Sequence, residues 1–377
     1  MLLAYCIYIF LLILLYTASS HNYKLLVNSN LEINIEKANY KYWRWPLIFA
    51  FIPLIFFIGF RYDVGVDYMG YFSDYLGLGK YKILRWFKIE RYEWGYQAIV
   101  RVFLYFNIPA WVLFSLVGTL IWCFFIQSFK PFPYLLKWGL FFAFTTGFFF
   151  ATNNGMRQSI ALAIFMYSIK FIEQQRSFKR FFICIIIASS FHTSIFLVFP
   201  FYFFIHKINL TKVFWIVLYI LTYIIGNKLD IRDVVLFGLD LFPKYQHYSE
   251  HFLKDFSNPA SIGLGNIYTF GVSLSIIIFS NKFIYKLPTL KVYYNLFYVG
   301  AIIFNFFWKY AILGRVYYLF IWFNIFCLAA MVYYFGKSKN GWFFYALVLS
   351  QILMFFYKIY INENLNSPYS FLPLEWW

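Results

Sequence analysis

Long apolar runs alternate with short polar breaks from one end of this chain to the other. Taking about 20 residues as the length that crosses a hydrocarbon core, or somewhat fewer where the bilayer adapts, the pattern predicts about twelve transmembrane helices. They fall at 2–18, 46–60, 109–128, 133–151, 154–173, 178–191, 194–206, 212–227, 262–280, 291–309, 313–335 and 341–361. The sixth and seventh form one continuous apolar stretch, divided here at Phe191-His192-Thr193, because a single helix of that length would place His192 in lipid. Between the second and third runs, Glu93, Gln97 and Arg101 recur on one helical face. The segment from Glu93 to Asn107 is therefore predicted as a short amphipathic helix, interfacial or re-entrant rather than spanning.

The predicted fold is an all-α polytopic integral membrane protein: a single membrane domain over 1–377, with a first outer loop at 61–108 that contains the interfacial helix, and a large outer loop at 228–261. The apolar stretch Leu2 to Thr17 has no Lys or Arg before it, so it lacks the charged start of a signal peptide and is expected to be retained as the first span.

Composition supports this class. The chain is 63% hydrophobic and 12% charged, with 53 Phe, 35 Tyr and 13 Trp, more apolar surface than a soluble core of 377 residues needs. An excess of 32 Lys and Arg over 15 Asp and Glu would suggest nucleic acid in a soluble protein. Here most basic residues lie in short loops between apolar runs, where anchoring at the cytoplasmic face explains them, and no nucleic-acid partner is expected. Lys170, Arg176, Lys179, Arg180, Lys207, Lys212, Lys282, Lys286, Lys291, Lys337 and Lys339 all fall on that face. Cys6, Cys123, Cys184 and Cys327 sit inside apolar runs and read as small buried hydrophobes.

Acidic residues are scarce, so their clustering is informative. Asp63, Asp67, Asp74, Glu90 and Glu93 put five of the 15 into one loop, which opens with Arg61. On the face opposite the cytoplasm the same reading collects Arg157 and Gln158 in NNGMRQSIALAI, His192 in ASSFHTS, Lys309 and Arg315 in KYAILGRVYYLF, and the tail NSPYSFLPLEWW. Arginine forks that stay charged suit a leaving diphosphate, and a carboxylate or histidine suits deprotonation of a sugar hydroxyl. Together these groups fit glycosyl transfer from a lipid diphosphate. Taken singly each has a plainer role: Arg61 and Arg157 as anchors at span ends, His192 as a packing residue, Asp63 and Asp74 as loop solvation. His247 and His251 stand four apart but no third ligand accompanies them, so no metal or other cofactor is expected. A loop as long as 228–261 is more often functional than idle, and it is expected to cover the site.

In order along the chain, RYDVGVDYMGY, ERYEWGY, NNGMRQSIALAI, ASSFHTSIFL and GRVYYLF resemble the motifs of the EpsG/Wzy-type bacterial polysaccharide (O-antigen) polymerase family. The likeness runs from about residue 46 to 206, with a looser match through Arg315. Two positions depart from the family pattern: Asp63 stands where Gly is usual and Val66 where Thr is common. The resemblance implies an inner-membrane glycosyltransferase that joins repeat units carried on undecaprenyl diphosphate at the periplasmic face, with a chain-length regulator and a flippase as partners. It also places the 61–108 loop outside, although a count of Lys and Arg leans slightly the other way. On the same resemblance, Asp67 is the first candidate for the base and His192 the second. Arg157 and Arg315, helped by Arg61, hold the donor diphosphate, while Tyr68 and Glu93 orient sugars or support the charged groups, with Asp63 and Gln158 alongside.

Two rival readings use the same charged groups. A flippase or transporter of lipid-linked oligosaccharide would show related halves, and no internal repeat is visible. A polytopic sugar acyltransferase also uses Arg and His, but does not explain the Asp-Tyr loop.

Overall fold

A computed structural model of the chain describes residues 2–28, 41–80, 92–173, 176–228, 236, 262–310, 313–338, 341–361 and 369–374. Within these residues the protein is helical, apart from two short strands. Six helices are long and apolar enough to cross a membrane: Leu2–Asn28, Ala110–Ser128, Leu264–Lys286, Pro288–Phe307, Val316–Phe335 and Gly341–Ile361. A seventh span arises if Pro133–Thr145 and Phe148–Asn154, bent by 62° at their junction, are counted as one. The chain is thus a multi-pass membrane protein.

The other predicted runs hold shorter pieces. Trp45–Gly59 has 15 residues, Met156–Ser168 has 13 and Phe178–Ser189 has 12. The run at 194–206 is a 3-10 helix, Thr193–Val198, followed by Phe201–Phe204. An apolar run is set by composition, whereas a helix also needs unbroken backbone geometry. The junction at Gly147, the turn at Gly155 and the stop after Ser189 divide what composition leaves continuous. The large 228–261 loop, with His247 and His251, lies outside the described residues beyond Lys228 and position 236, as does Glu90.

By its internal contacts the chain forms two compact units, Met1–Tyr202 with Leu328–Trp377, and Phe203–Cys327. In the first, helix Leu2–Asn28 packs on Trp45–Gly59 and on Leu136–Thr145, and Trp45–Gly59 packs on Ala110–Ser128. Ala110–Ser128 supports Met156–Ser168, which in turn supports Phe178–Ser189. Aromatic rings fill the interior: Trp122 is fully buried against Phe125, Phe144, Phe148 and Phe149. Lys358, from helix Gly341–Ile361, reaches the bend after Thr145 and donates to the carbonyls of Thr145 and Thr146, which the break leaves without helical partners.

In the second unit Lys212–Lys228 packs between Leu264–Lys286 and Lys291–Phe307, and Lys291–Phe307 packs on Gly314–Ile321. Its buried amides act as cross-links: Asn305 donates to Tyr219 O at 3.0 Å and Thr222 Oγ1 at 3.0 Å, and Asn295 to Ile205 O at 2.9 Å. Backbone carbonyls near a helix break or end need such partners where water is excluded.

One long-range closure bears on the site. Arg61–Tyr62 pairs antiparallel with Ser370–Phe371, Arg61 opposite Phe371 and Tyr62 opposite Ser370. Leu372 N–H adds a bond to Phe60 O at 2.8 Å, and Tyr369 Oη donates to Phe57 O at 2.7 Å. The tail thus fixes the exit of the second helix and the first residues of the acidic loop.

Candidate active site

Three separate segments supply the polar cluster of the first unit. Glu93 precedes helix Trp94–Tyr105, Arg157 stands in the first turn of Met156–Ser168, and His192 follows the end of Phe178–Ser189. Helix Trp94–Tyr105 has 12 residues and reaches about 18 Å, well short of the roughly 30 Å hydrocarbon core. Trp94, Val102, Tyr105 and Phe106 on this segment are exposed.

Gly95 decides where this helix docks. Its N–H donates to Ser190 O at 2.7 Å, and a Cβ at this position would lie 2.3 Å from Ser190 Oγ and 2.8 Å from Ser190 O. Only a residue without a side chain lets the two backbones meet, and that approach brings Glu93 to His192 and Thr193.

The Glu93 carboxylate is the hub. Oε2 accepts from Arg157 Nη1 in an ion pair, and Oε1 accepts from Thr193 N–H at 3.2 Å. His192 Nδ1 stands 3.3 Å from Oε1, an ion-pair distance, but in a direction that makes no hydrogen bond; both ring nitrogens are buried and lack hydrogen-bond partners. The three side chains are 14% (Glu93), 20% (Arg157) and 15% (His192) exposed, so the cluster is largely shielded yet reachable. Burial opposes ionisation of Glu93, but the adjoining imidazole, the guanidinium and its own backbone amide outweigh it and bring the carboxyl down to about 2.

Tyrosines wall this hub. Arg157 Nε donates to Tyr71 Oη at 3.2 Å, and the guanidinium carbon lies 4.5 Å from the centre of the Tyr92 ring. Tyr92 Oη in turn donates to Asp74, and Tyr96 packs edge-on against both Tyr71 and Tyr92. Burial pushes the Tyr71 hydroxyl up, against the pull of Arg157. Of the Arg157 nitrogens, Nε and Nη1 are engaged, while Nη2 has no hydrogen-bond partner among the described residues. A guanidinium oriented by a carboxylate, with one donor edge open, is suited to a planar oxyanion.

The other sequence-predicted residues are placed differently. Arg61 is 1% exposed: its guanidinium donates to Ile58 O at 2.6 Å and Asn153 O at 3.3 Å, approaches Met156 Sδ at 3.4 Å, and sits 5.4 Å from the ring centres of both Tyr68 and Phe114. It ties the end of the second helix to the break before Met156. Tyr68 is fully buried, stacked on Phe72. Asp63 and Asp67 are exposed, and the Asp67 charge reaches the Tyr71 hydroxyl. Asp63 has φ of 52° and Gly65 of 106°, so the loop turns through the left-handed region twice and brings Gly65 against Asn153 and Asn154. Gln158 lies over Gly155, one residue beyond Arg157. Arg315 belongs to the second unit, at the start of Gly314–Ile321, and its side chain lies outside the described residues.

Tyr71, Tyr92, Tyr96 and Thr193 are contributors that residue-type reasoning passed over. Each lies inside or beside a motif already quoted: Tyr71 ends RYDVGVDYMGY and Tyr92 and Tyr96 belong to ERYEWGY.

A model of the EpsG family matches residues 44–371 of the chain. No curated protein and no solved structure matches it.

Proposed function

We propose that this chain, which belongs to the EpsG family, joins oligosaccharide repeat units carried on undecaprenyl diphosphate at the periplasmic face of the inner membrane. Family membership supports a polysaccharide polymerase-like role in general. The observation that carries the finer reading is the Glu93 hub, which holds a cation and a histidine side by side under a tyrosine wall.

In this mechanism the bond between the anomeric carbon and the diphosphate oxygen of the donor breaks, and a bond from the acceptor hydroxyl oxygen to that carbon forms. The acceptor proton passes to His192, whose ring stands beside the Glu93 carboxylate. Asp67, exposed one turn before Tyr71 and the first candidate for the base on the family resemblance, is the alternative acceptor of that proton. Charge grows on the departing diphosphate, where the open Arg157 edge stabilises it. Tyr71 and Tyr92 offer faces for sugar rings. Arg61 acts at one remove by supporting the turn before Met156. Asp63, Tyr68 and Gln158 are assigned support of the same loop and turn, and Arg315 is retained as a substrate contact on the family resemblance alone. The short helices 45–59, 156–168 and 178–189 are taken as parts of broken spans, the arrangement in which non-helical backbone at membrane depth is tolerated inside protein.

The test is the banding of surface polysaccharide from a deletion strain complemented with wild type, His192→Ala, Arg157→Ala or Asp67→Ala, at matched protein levels. The expected result is glycan of a single repeat unit in the deletion, a ladder with wild type, and loss of the ladder with His192→Ala and Arg157→Ala. Loss of all surface glycan in the deletion, with lipid-linked units accumulating inside the cell, would instead identify a transporter. Normal chain length with missing acetyl groups would identify an acyltransferase.

A further inference from the structure

The tyrosine wall of the Glu93 cluster holds an unused proton. Arg157 Nε donates to Tyr71 Oη at 3.2 Å, so in that contact the phenol oxygen is the acceptor. The phenol also carries a proton of its own. That proton meets no acceptor among the described residues. Tyr71 is 8% exposed, its ring stacked on Tyr92 with centres 5.8 Å apart and edge-on to Tyr96 at 5.7 Å. Burial, helped by the carboxylates of Asp67 and Glu93, keeps the hydroxyl protonated against the pull of Arg157. Buried donors are rarely left idle, because water cannot take the place of the missing partner.

A second unused donor belongs to the same guanidinium. Nη1 is taken by Glu93, whereas Nη2 has no partner among the described residues and is not one of the buried atoms, so it stays reachable. In the planar fork one N–H of Nη2 points to the same side as Nε–H, the side on which Tyr71 Oη sits. Two donors from different helices, Tyr68–Lys80 and Met156–Ser168, thus border one opening. Glu93 offsets the charge of Arg157, so an anion here is held by directed hydrogen bonds more than by net charge. Under that condition a second donor of fixed position weighs heavily.

We propose that Tyr71 is a catalytic residue, whose hydroxyl completes with Arg157 Nη2 a two-donor pocket for the diphosphate of a lipid-linked donor. As the bond from the anomeric carbon to the diphosphate oxygen breaks, its electron pair stays on the oxygen. Tyr71 donates a hydrogen bond to the diphosphate and keeps its own proton. This role rests on the polymerase reading for the identity of the anion, and binding measures it apart from glycan synthesis.

The test titrates the full-length protein in neutral detergent with geranyl diphosphate, a short prenyl diphosphate, and with geraniol as its uncharged counterpart, by isothermal titration calorimetry. Wild type is expected to bind the diphosphate and not the alcohol. Tyr71→Phe keeps the ring and removes the hydroxyl, and should weaken binding at least about tenfold. In the complemented deletion strain the same variant should lose long chains at matched protein levels. Tyr105→Phe, at an exposed tyrosine of the neighbouring helix, should match wild type in both readouts. Diphosphate binding by Tyr71→Phe equal to wild type overturns the pocket, while a ladder lost with His192→Ala still upholds the polymerase reading. A transporter phenotype in the deletion strain overturns that reading and the catalytic role with it, leaving the tenfold loss to mark a diphosphate site for transport. Equal loss in Tyr105→Phe, or equal binding of geraniol, overturns the proposal. Should Tyr71→Phe not fold, O-methyltyrosine at this position makes the comparison: it keeps the oxygen that accepts from Arg157 and lacks the proton. Loss of binding with it supports the pocket, and binding equal to wild type overturns it.

Discussion

Glu93 and Arg157, 64 residues apart in the chain, meet as a shielded ion pair, and the other oxygen of the same carboxylate, which accepts from Thr193 N–H, lies 3.3 Å from His192 Nδ1. One acid thereby adjoins two groups with different chemistry. Removing it would leave a shielded guanidinium without its counter-charge, which costs more than the pair itself contributes.

Stability should therefore depend on acid in a particular window. The Glu93 carboxyl is held below its ordinary value in the folded state, so its contribution is present above about 4.5 and is lost as pH falls from there toward about 2. The melting temperature of the purified wild type should fall through that interval. Glu93→Gln should start lower at neutral pH and show a flatter profile, as measured by thermal denaturation in buffers of decreasing pH.

Gly95→Ala should damage the site without touching any charged residue. The added methyl meets Ser190 backbone and side chain inside van der Waals contact, at a cost of about 1–3 kcal/mol. Chain-length laddering should drop strongly while the membrane still holds the protein. The partner change Ser190→Gly relieves only the side-chain part of the clash, so a partial recovery in the double variant is the outcome to look for.

Asp63 occupies a left-handed conformation where the family pattern carries glycine. Asp63→Gly should then stabilise the protein by up to about 1 kcal/mol, and Asp63→Val should destabilise it by about 1–2 kcal/mol. Melting temperatures of the two variants, moving in opposite directions from wild type, check this.

Lys358→Met should loosen the bend between Thr145 and Phe148. It keeps an unbranched side chain one atom shorter but removes the donor to two carbonyls. The loss should be on the order of 2 kcal/mol, because buried acceptors are left without that donor. Faster hydrogen exchange at 145–154 in the variant is the local readout.

Much of this organisation can be read in the sequence, and the reasons differ by residue. The last span, 341–361, has the same bounds in the structure, since no proline or internal glycine breaks its helix. The division at His192 also holds, because a histidine in the middle of an apolar run marks a place where backbone must leave the helix. Glu93, Arg157 and His192, which the predicted topology places on one face, meet in the structure through the Glu93 carboxylate. Arg61 shows the limit of such reasoning. Nothing local distinguishes an arginine facing a substrate from one facing carbonyls, and the carbonyls of Ile58 and Asn153 come from separate segments. The tyrosine wall was hidden by abundance: with 35 tyrosines in the chain, residue type alone cannot single out Tyr71 or Tyr92. The two-residue strands are too short for any periodicity to show.

That small pairing has a consequence for synthesis. Tyr369 meets Phe57 across 312 residues of sequence, and Leu372 caps Phe60. The motif that opens at Arg61 thus waits for translation of residues 369–372 before Arg61–Tyr62 can take its final form. Loop closure over such a separation is slow compared with local helix formation. A chain that stops short of Ser370 inserts its early helices and still lacks a finished acidic loop, so the pairing makes maturation of that loop conditional on translation through Leu372.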